Sequence, residues 1–215
     1  MPVWTALPWE LLPSPLCILD LDTSGYLPRR DRVVEIAALR LDPNAPPRWL
    51  ESRVDPNGGR FGGAPGFANL IPQLHDLMDG AVMVAHNAAL DACFLGTELD
   101  RLGGRWGGPQ LCTLELAHSL FPDRLSFSLT ALTRDLCGEE LARAASQGGP
   151  AQKVQATTAL LGVMLRTAKP EHRVPETVRS LVRLPVLPTA WPRIVGSLLP
   201  PRRRELGADL LVNQR

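Results

Sequence analysis

The spacing of apolar and polar positions changes several times along the chain, and each change marks an element. Leu16–Leu21 is apolar except for one acid, the pattern of a strand buried on both faces, and Arg32–Leu41 is a second such run. Between them Thr23–Asp31 contains Gly25 and Pro28 and reads as a turn, so the two runs predict a hairpin. Trp49–Val54 is a third predicted strand, and Asp55–Gly66, dense in Gly and Pro, is a loop. Phe67, Leu70, Ile71, Leu74 and Met78 then recur at the spacing of one helical face, stopped by Gly80. Ala81–Ala85 is a short apolar strand, His86-Asn87 a turn, and Ala88–Leu102 an amphipathic helix closed by Gly103-Gly104. Gln110–Cys112 is expected as a last strand before a helix over Thr113–Phe121. Leu129–Leu136 and Gln152–Arg166 are further predicted helices, with Ala144–Pro150 a loose stretch between them. Three antiparallel strands followed by strands alternating with helices predict an α/β domain with a mixed sheet.

From Lys169 onward the pattern breaks down. Prolines recur at 170, 175, 185, 188, 192, 200 and 201, Arg202–Arg204 is a basic run, and one short helix is expected over Glu176–Leu184 with Pro175 in its first turn. This divides the chain into an N-terminal extension at 1–15, a core domain at 16–168 and a proline-rich C-terminal extension at 169–215. Trp191 and the apolar Ile194–Leu199 make that extension a candidate docking segment for a protein partner, set against a solvated surface tail.

Composition narrows the classes. The chain has 215 residues, 45% of them hydrophobic, enough for one good core. Lys and Arg total 23 against 22 Asp and Glu, so no global positive field draws in nucleic acid and any such contact must be local. Cys17, Cys93, Cys112 and Cys137 are widely spaced without a C-x-x-C pair, which argues for reduced thiols and against zinc. The first sixteen residues lack the plan of a signal peptide, and no window reaches the about 18 apolar residues of a membrane helix. A soluble, cytoplasmic protein without membrane contact is expected.

The chemistry starts at Asp20 and Asp22. Residues i and i+2 of a strand share a face, so the two carboxylates stand side by side, an arrangement that hard divalent cations favour. Two further blocks follow in order: Val84-Ala85-His86-Asn87-Ala88-Ala89-Leu90-Asp91 at a strand-to-helix turn, and Leu111-Cys112-Thr113 before a helix. With Val34-Glu35-Ile36, Leu120-Phe121-Pro122 and Ser128-Leu129-x-x-Leu132, this resembles the DnaQ-like (DEDDh) 3′-5′ exonuclease family, to which the bacterial proofreading (epsilon) subunits of DNA polymerase III belong. The likeness runs from about Cys17 to Leu165. It implies a ribonuclease H-like fold, Asp20, Asp22 and Asp91 as catalytic metal ligands, and Thr23, His86 and Asn87 as substrate contacts at the 3′ end of a single strand.

The family's last block, H-x-A-x-x-D-A-x-x-T, falls on Gly148–Thr157, so Gly148 stands for the general-base histidine and Lys153 for the fourth acid. Losing a general base costs roughly 10²–10⁴ in rate. An ammonium at 153 competes with a cation for the same oxygens and is expected to bridge the aspartates as an internal ion pair. Asp22 is one methylene shorter than the family glutamate, Leu90 replaces an aromatic residue, and the H-G-I segment usual before Ala64-Pro65-x-Phe67 is missing. His172, with Arg173, Val174 and Glu176, superficially repeats the lost block, but its acid comes one place early. His75 and His118 read as core or surface residues. Three readings stay open from sequence. One is an impaired or inactive exonuclease-fold protein that weakly binds a nucleic-acid 3′ end or serves replication or repair as an accessory. Another is an active 3′-5′ exonuclease of low or altered activity. The third is a purely structural interaction protein in which the cleft is closed and the proline-rich tail does the binding. The active form would use Mg²⁺ or Mn²⁺, the inactive form no metal.

Overall fold

The structure, a computed structural model, describes residues 7–13, 15–57, 63–168, 173–184, 187 and 189–192. Five strands form one sheet in the order β3-β2-β1-β4-β5, where β1 is Leu16–Thr23, β2 Val33–Asp42, β3 Ala45–Arg53, β4 Val82–Ala85 and β5 Gln110–Cys112. The first three strands pair antiparallel, and β4 and β5 continue parallel to β1. This is the predicted mixed sheet. β3 begins four residues before the predicted strand and takes in Pro46 and Pro47, which an edge strand tolerates because one side of its ladder faces solvent.

Seven α-helices cover the two faces: α1 Phe67–Met78, α2 Ala88–Arg101, α3 Thr113–Leu120, α4 Leu129–Cys137, α5 Glu139–Gln147, α6 Pro150–Thr167 and α7 Val174–Leu181. Alternation along β1 divides the core into two layers. Cys17 and Leu19 face Phe67, Ile71 and Leu74 of α1 and Phe94, Leu95 and Leu99 of α2. Leu16 and Ile18 face the other way, into Leu116 and Leu120 of α3 and Val154 and Leu161 of α6. By the same parity Asp20 and Asp22 lie on the α6 side of the sheet.

Three elements differ from expectation. The stretch before Gly148 is helical, not loose: Glu139 and Glu140 occupy the first turn of α5, where the helix dipole favours acids, and only Ala142 and Ala145 are buried, too thin an apolar stripe to read in sequence. The helix of the C-terminal segment is α7, which starts at Val174 and ends at Leu181, and it buries Val174 and Val178 in the α6-side layer. Beyond it, residues 182–184 and 189–192 form a strap. Arg183 exchanges both backbone hydrogen bonds with Gln110 on the open edge of β5, Ala190 does the same with Arg105, and the Trp191 ring meets His75 of α1 edge-on at 5.1 Å. Trp191, expected as a docking residue, is therefore engaged within the chain. Ile194–Leu199 and Arg202–Arg204 lie outside the described residues. All four cysteines are free thiols. Among the described residues no helix is long and apolar enough to cross a membrane.

Candidate active site

β1 lies centrally, between β2 and β4. Its ladder to β4 ends at Ile18↔Val84, so Asp20, Asp22 and Thr23 run on past the end of β4 into a cleft beneath α6. On the other flank Asp22 lies directly opposite Glu35 of β2, and Asp20 opposite Ala37. Residues opposite one another on antiparallel strands share a face, so Glu35 is a further acid on the same side as the aspartates. Sequence reading placed Glu35 in a strand motif but not in the site; the parity of Ala37 and Leu39 was the available signal.

α6 closes the cleft from above. Gly149 and Pro150 open the helix, Ala151 and Val154 anchor it in the core, and Lys153 points at β1. Its Nζ lies 2.5 Å from Asp22 Oδ1 and 3.4 Å from Asp20 Oδ2, the bridge expected from sequence. The first contact is a charge-assisted hydrogen bond; the second is an ion pair only, and Asp20 Oδ2 is buried without a hydrogen-bond partner. Burial pushes the Asp20 carboxyl up to about 7, opposed by the Lys153 charge and reinforced by Asp22. Burial works against the Lys153 ammonium, yet its hydrogen bond to Asp22 and the two carboxylate charges hold its pKa above the ordinary lysine value.

Asp91 lies in the first turn of α2 and is 8% exposed. Burial and then the Asp20 charge raise its pKa well above the usual carboxylate range, while backbone amides and Lys153 pull the other way. Asp20, Asp22, Asp91 and Lys153 thus form one electrostatic unit. Among the described residues, however, no group of three or more His, Cys, Asp and Glu side chains is arranged to hold a metal ion.

The expected substrate contacts divide. Asn87 sits in the left-handed region at φ 78°, exposed, at the turn between β4 and α2. Asparagine is one of the few non-glycine residues that adopt this conformation readily, because its short polar side chain can hydrogen-bond locally. Thr23 turns its hydroxyl inward and donates to the carbonyl of Gly25 at 2.7 Å. His86 has both ring nitrogens engaged, Nδ1 with Thr113 Oγ1 at 3.0 Å and Nε2 with the carbonyl of Phe127 at 2.9 Å, and burial lowers its pKa. It is a neutral strut tying β4 to the loop before α4, with no ring nitrogen left for a substrate. Thr113, which sequence reading put in a motif without a role, is its partner.

Gly148 follows α5 as its C-cap, and its amide donates to the carbonyl of Ala144. Gly149 lies against the Glu35 carboxylate. Of the other histidines, His75 is buried beside Trp191 and His118 is exposed and stacked on Phe127. His172 lies outside the described residues.

No family model matches the chain. Among curated relatives, a DNA polymerase III PolC-type of Clostridium perfringens is 26% identical over 133 residues, which cover 55% of this chain and 9% of the polymerase. The DNA polymerase III subunit epsilon of Aquifex aeolicus is 22% identical over 141 residues, covering 59% of this chain and 70% of the subunit. Among solved structures, the zinc-bound E. coli exonuclease I–single-stranded DNA complex superposes with a TM-score of 0.59 at 17% identity, over 78% of this chain and 43% of that one. The chain therefore spans a small part of the polymerase and under half of exonuclease I. It is related to the DnaQ-like exonuclease domains, and its fold is the ribonuclease H-like one of exonuclease I.

Proposed function

We propose that this protein is a DnaQ-like domain whose cleft binds the 3′ end of single-stranded nucleic acid without efficient hydrolysis, as an accessory in replication or repair. The observation that carries the reading is Lys153 seated between Asp22 and Asp20. In metal-dependent phosphodiester cleavage a pair of divalent cations stabilises the attacking and leaving oxygens. The residues present do not fit such a pair. An ammonium takes Asp22 Oδ1 and lies against Asp20 Oδ2, and Gly148 offers no group to accept a proton from water. Lys153 instead neutralises the cluster, so the cleft keeps its shape without a metal. Single-stranded DNA is the ligand of the superposing exonuclease I complex, and here Asp22 is partly exposed and Asn87 exposed.

The test is degradation and binding of a 3′-labelled single strand in Mg²⁺ and then Mn²⁺, with the native protein, Asp20→Ala and Lys153→Asp. Binding without degradation by the native protein is expected. Degradation that Asp20→Ala abolishes would overturn the reading in favour of an active exonuclease held together by Asp20, Asp22 and Asp91. Failure to bind any single strand would overturn it in favour of a protein-docking role.

A further inference from the structure

The connection between β1 and β2 displays more than a turn requires. Tyr26 is 87% exposed and Leu27 55%, and Arg29 and Arg30 follow, both exposed. Among the described residues no hydrogen bond or ion pair engages either guanidinium group. The backbone beneath them is firmly held. Asp31 accepts from the amide of Leu27 at 2.8 Å, and the carbonyl of Leu27 accepts from the amides of Arg30 and Asp31 at 2.8 and 2.7 Å. Arg101 of α2 donates from Nη2 to the carbonyls of Pro28 and Arg29 at 2.8 and 3.2 Å.

Arg101 is itself fixed from below. Glu98, 1% exposed, accepts from Arg101 Nη1 at 3.0 Å, from Arg32 Nε and Nη2 at 2.8 and 2.9 Å, and from the amide of Val33 at 3.2 Å. A buried carboxylate with four donors is costly to assemble and rigid once made. Here it ties α2 to the middle and the C-terminal end of the connection. The result is a fixed backbone carrying two unpaired cations and an exposed aromatic ring, beginning three residues after Asp22. Free cations beside an aromatic face are what a single strand engages, through its phosphates and bases, and a backbone ordered in advance lowers the entropy lost on binding.

We propose that the Gly25–Asp31 connection is a preformed arm that receives the sugar–phosphate backbone of a single strand at the cleft, with Arg29 and Arg30 pairing with phosphates and Arg101 as the positioning residue that holds the arm. This rests on the reading of the cleft as a binder of nucleic-acid ends. The chain is nearly neutral overall, so two local cations make up a large share of the electrostatic attraction.

The test is fluorescence anisotropy of a fluorescein-labelled oligothymidylate across a salt series. It compares the native protein with the Arg29→Ala/Arg30→Ala double variant and with Arg101→Ala. The double variant removes side chains without partners and should melt like the native protein. Its plot of log affinity against log salt should be shallower by about 1.4, two single-strand phosphate contacts at about 0.7 each. Arg101→Ala should weaken binding while keeping the native slope, because both cations remain. An unchanged slope in the double variant, with native binding intact, overturns the arm alone. No binding by the native protein overturns the arm together with the reading it rests on.

Discussion

The carbonyl oxygen of Ala144 lies 2.7 Å from where a β-carbon on Gly148 would stand, and the side chain of Gln152 presses on the same point. A histidine at 148 therefore fits only if the backbone at the end of α5 turns away from the Ala144 carbonyl and the side chain of Gln152 moves aside. Gly149 is less confined, since its β-carbon would meet only the movable end of Glu35, at 3.0 Å. Gly148→Ala should lose about 1–3 kcal/mol in urea unfolding, the usual cost of overpacking, and Gly149→Ala clearly less. Equal losses would mean that the contact with Ala144 relaxes freely.

Lys153→Met keeps the stem of the side chain and removes the charge, leaving Asp20 and Asp22 facing each other. Because Lys153 and Asp22 are partly exposed, the expected loss is about 1–3 kcal/mol, below that for a fully buried pair. Millimolar Mg²⁺ should raise the melting temperature of the variant and leave the native protein unmoved. An equal rise in both would show that Lys153 does not stand in for the cation.

Asp20 makes stability depend on pH in a definite sense. Its pKa rises on folding from the ordinary 3.8 to about 7, chiefly through burial. Between those values the folded state holds a proton that the unfolded chain has released, so stability falls as pH rises from about 4 to about 7. Asp91 is shifted in the same direction. Asp20→Asn removes the first contribution. Native stability relative to this variant should therefore drop by roughly 2–3 kcal/mol between about pH 5 and pH 8, at about 1.4 kcal/mol per unit below the raised pKa. A constant difference between the two proteins at both pH values would exclude the shift.

The strap covers the open edge of β5 through the paired backbone bonds between Arg183 and Gln110 and an ion pair from Arg183 to Glu115, while Ala190 pairs with Arg105 ahead of that strand. A chain ending at Leu181 should expose that edge and self-associate with rising concentration in light scattering, since unpaired edges template pairing. A monomer over the full concentration range would show that β5 is too short to pair.

Fold and site were unequally legible in the sequence. The sheet could be read because β4 and the buried stretches of β1 and β2 appear as predominantly apolar runs. Strand parity brings Asp20 and Asp22 together, the resemblance of their blocks to the DnaQ-like motifs places Asp91 and Lys153 beside them, and the bridge follows from an ammonium standing where the resemblance puts an acid. The inward roles of His86 and Thr113 could not be read, because the carbonyl of Phe127 that completes them lies 41 residues from His86. α5 escaped because two buried alanines make no visible stripe. The strap escaped because its pairing with Gln110 and Arg105 is made by backbone atoms, which leave no mark on side-chain pattern.

The strap also sets an order of events during synthesis. Gln110 of β5 and its partner Arg183 are 73 residues apart, so at about 5–20 residues per second the β5 edge waits roughly 4–15 s on the ribosome for its cover. Throughout that interval the β5 margin of the nascent sheet lies bare. A strand of only three residues there limits what a neighbouring nascent chain can pair with while the cover is still being made.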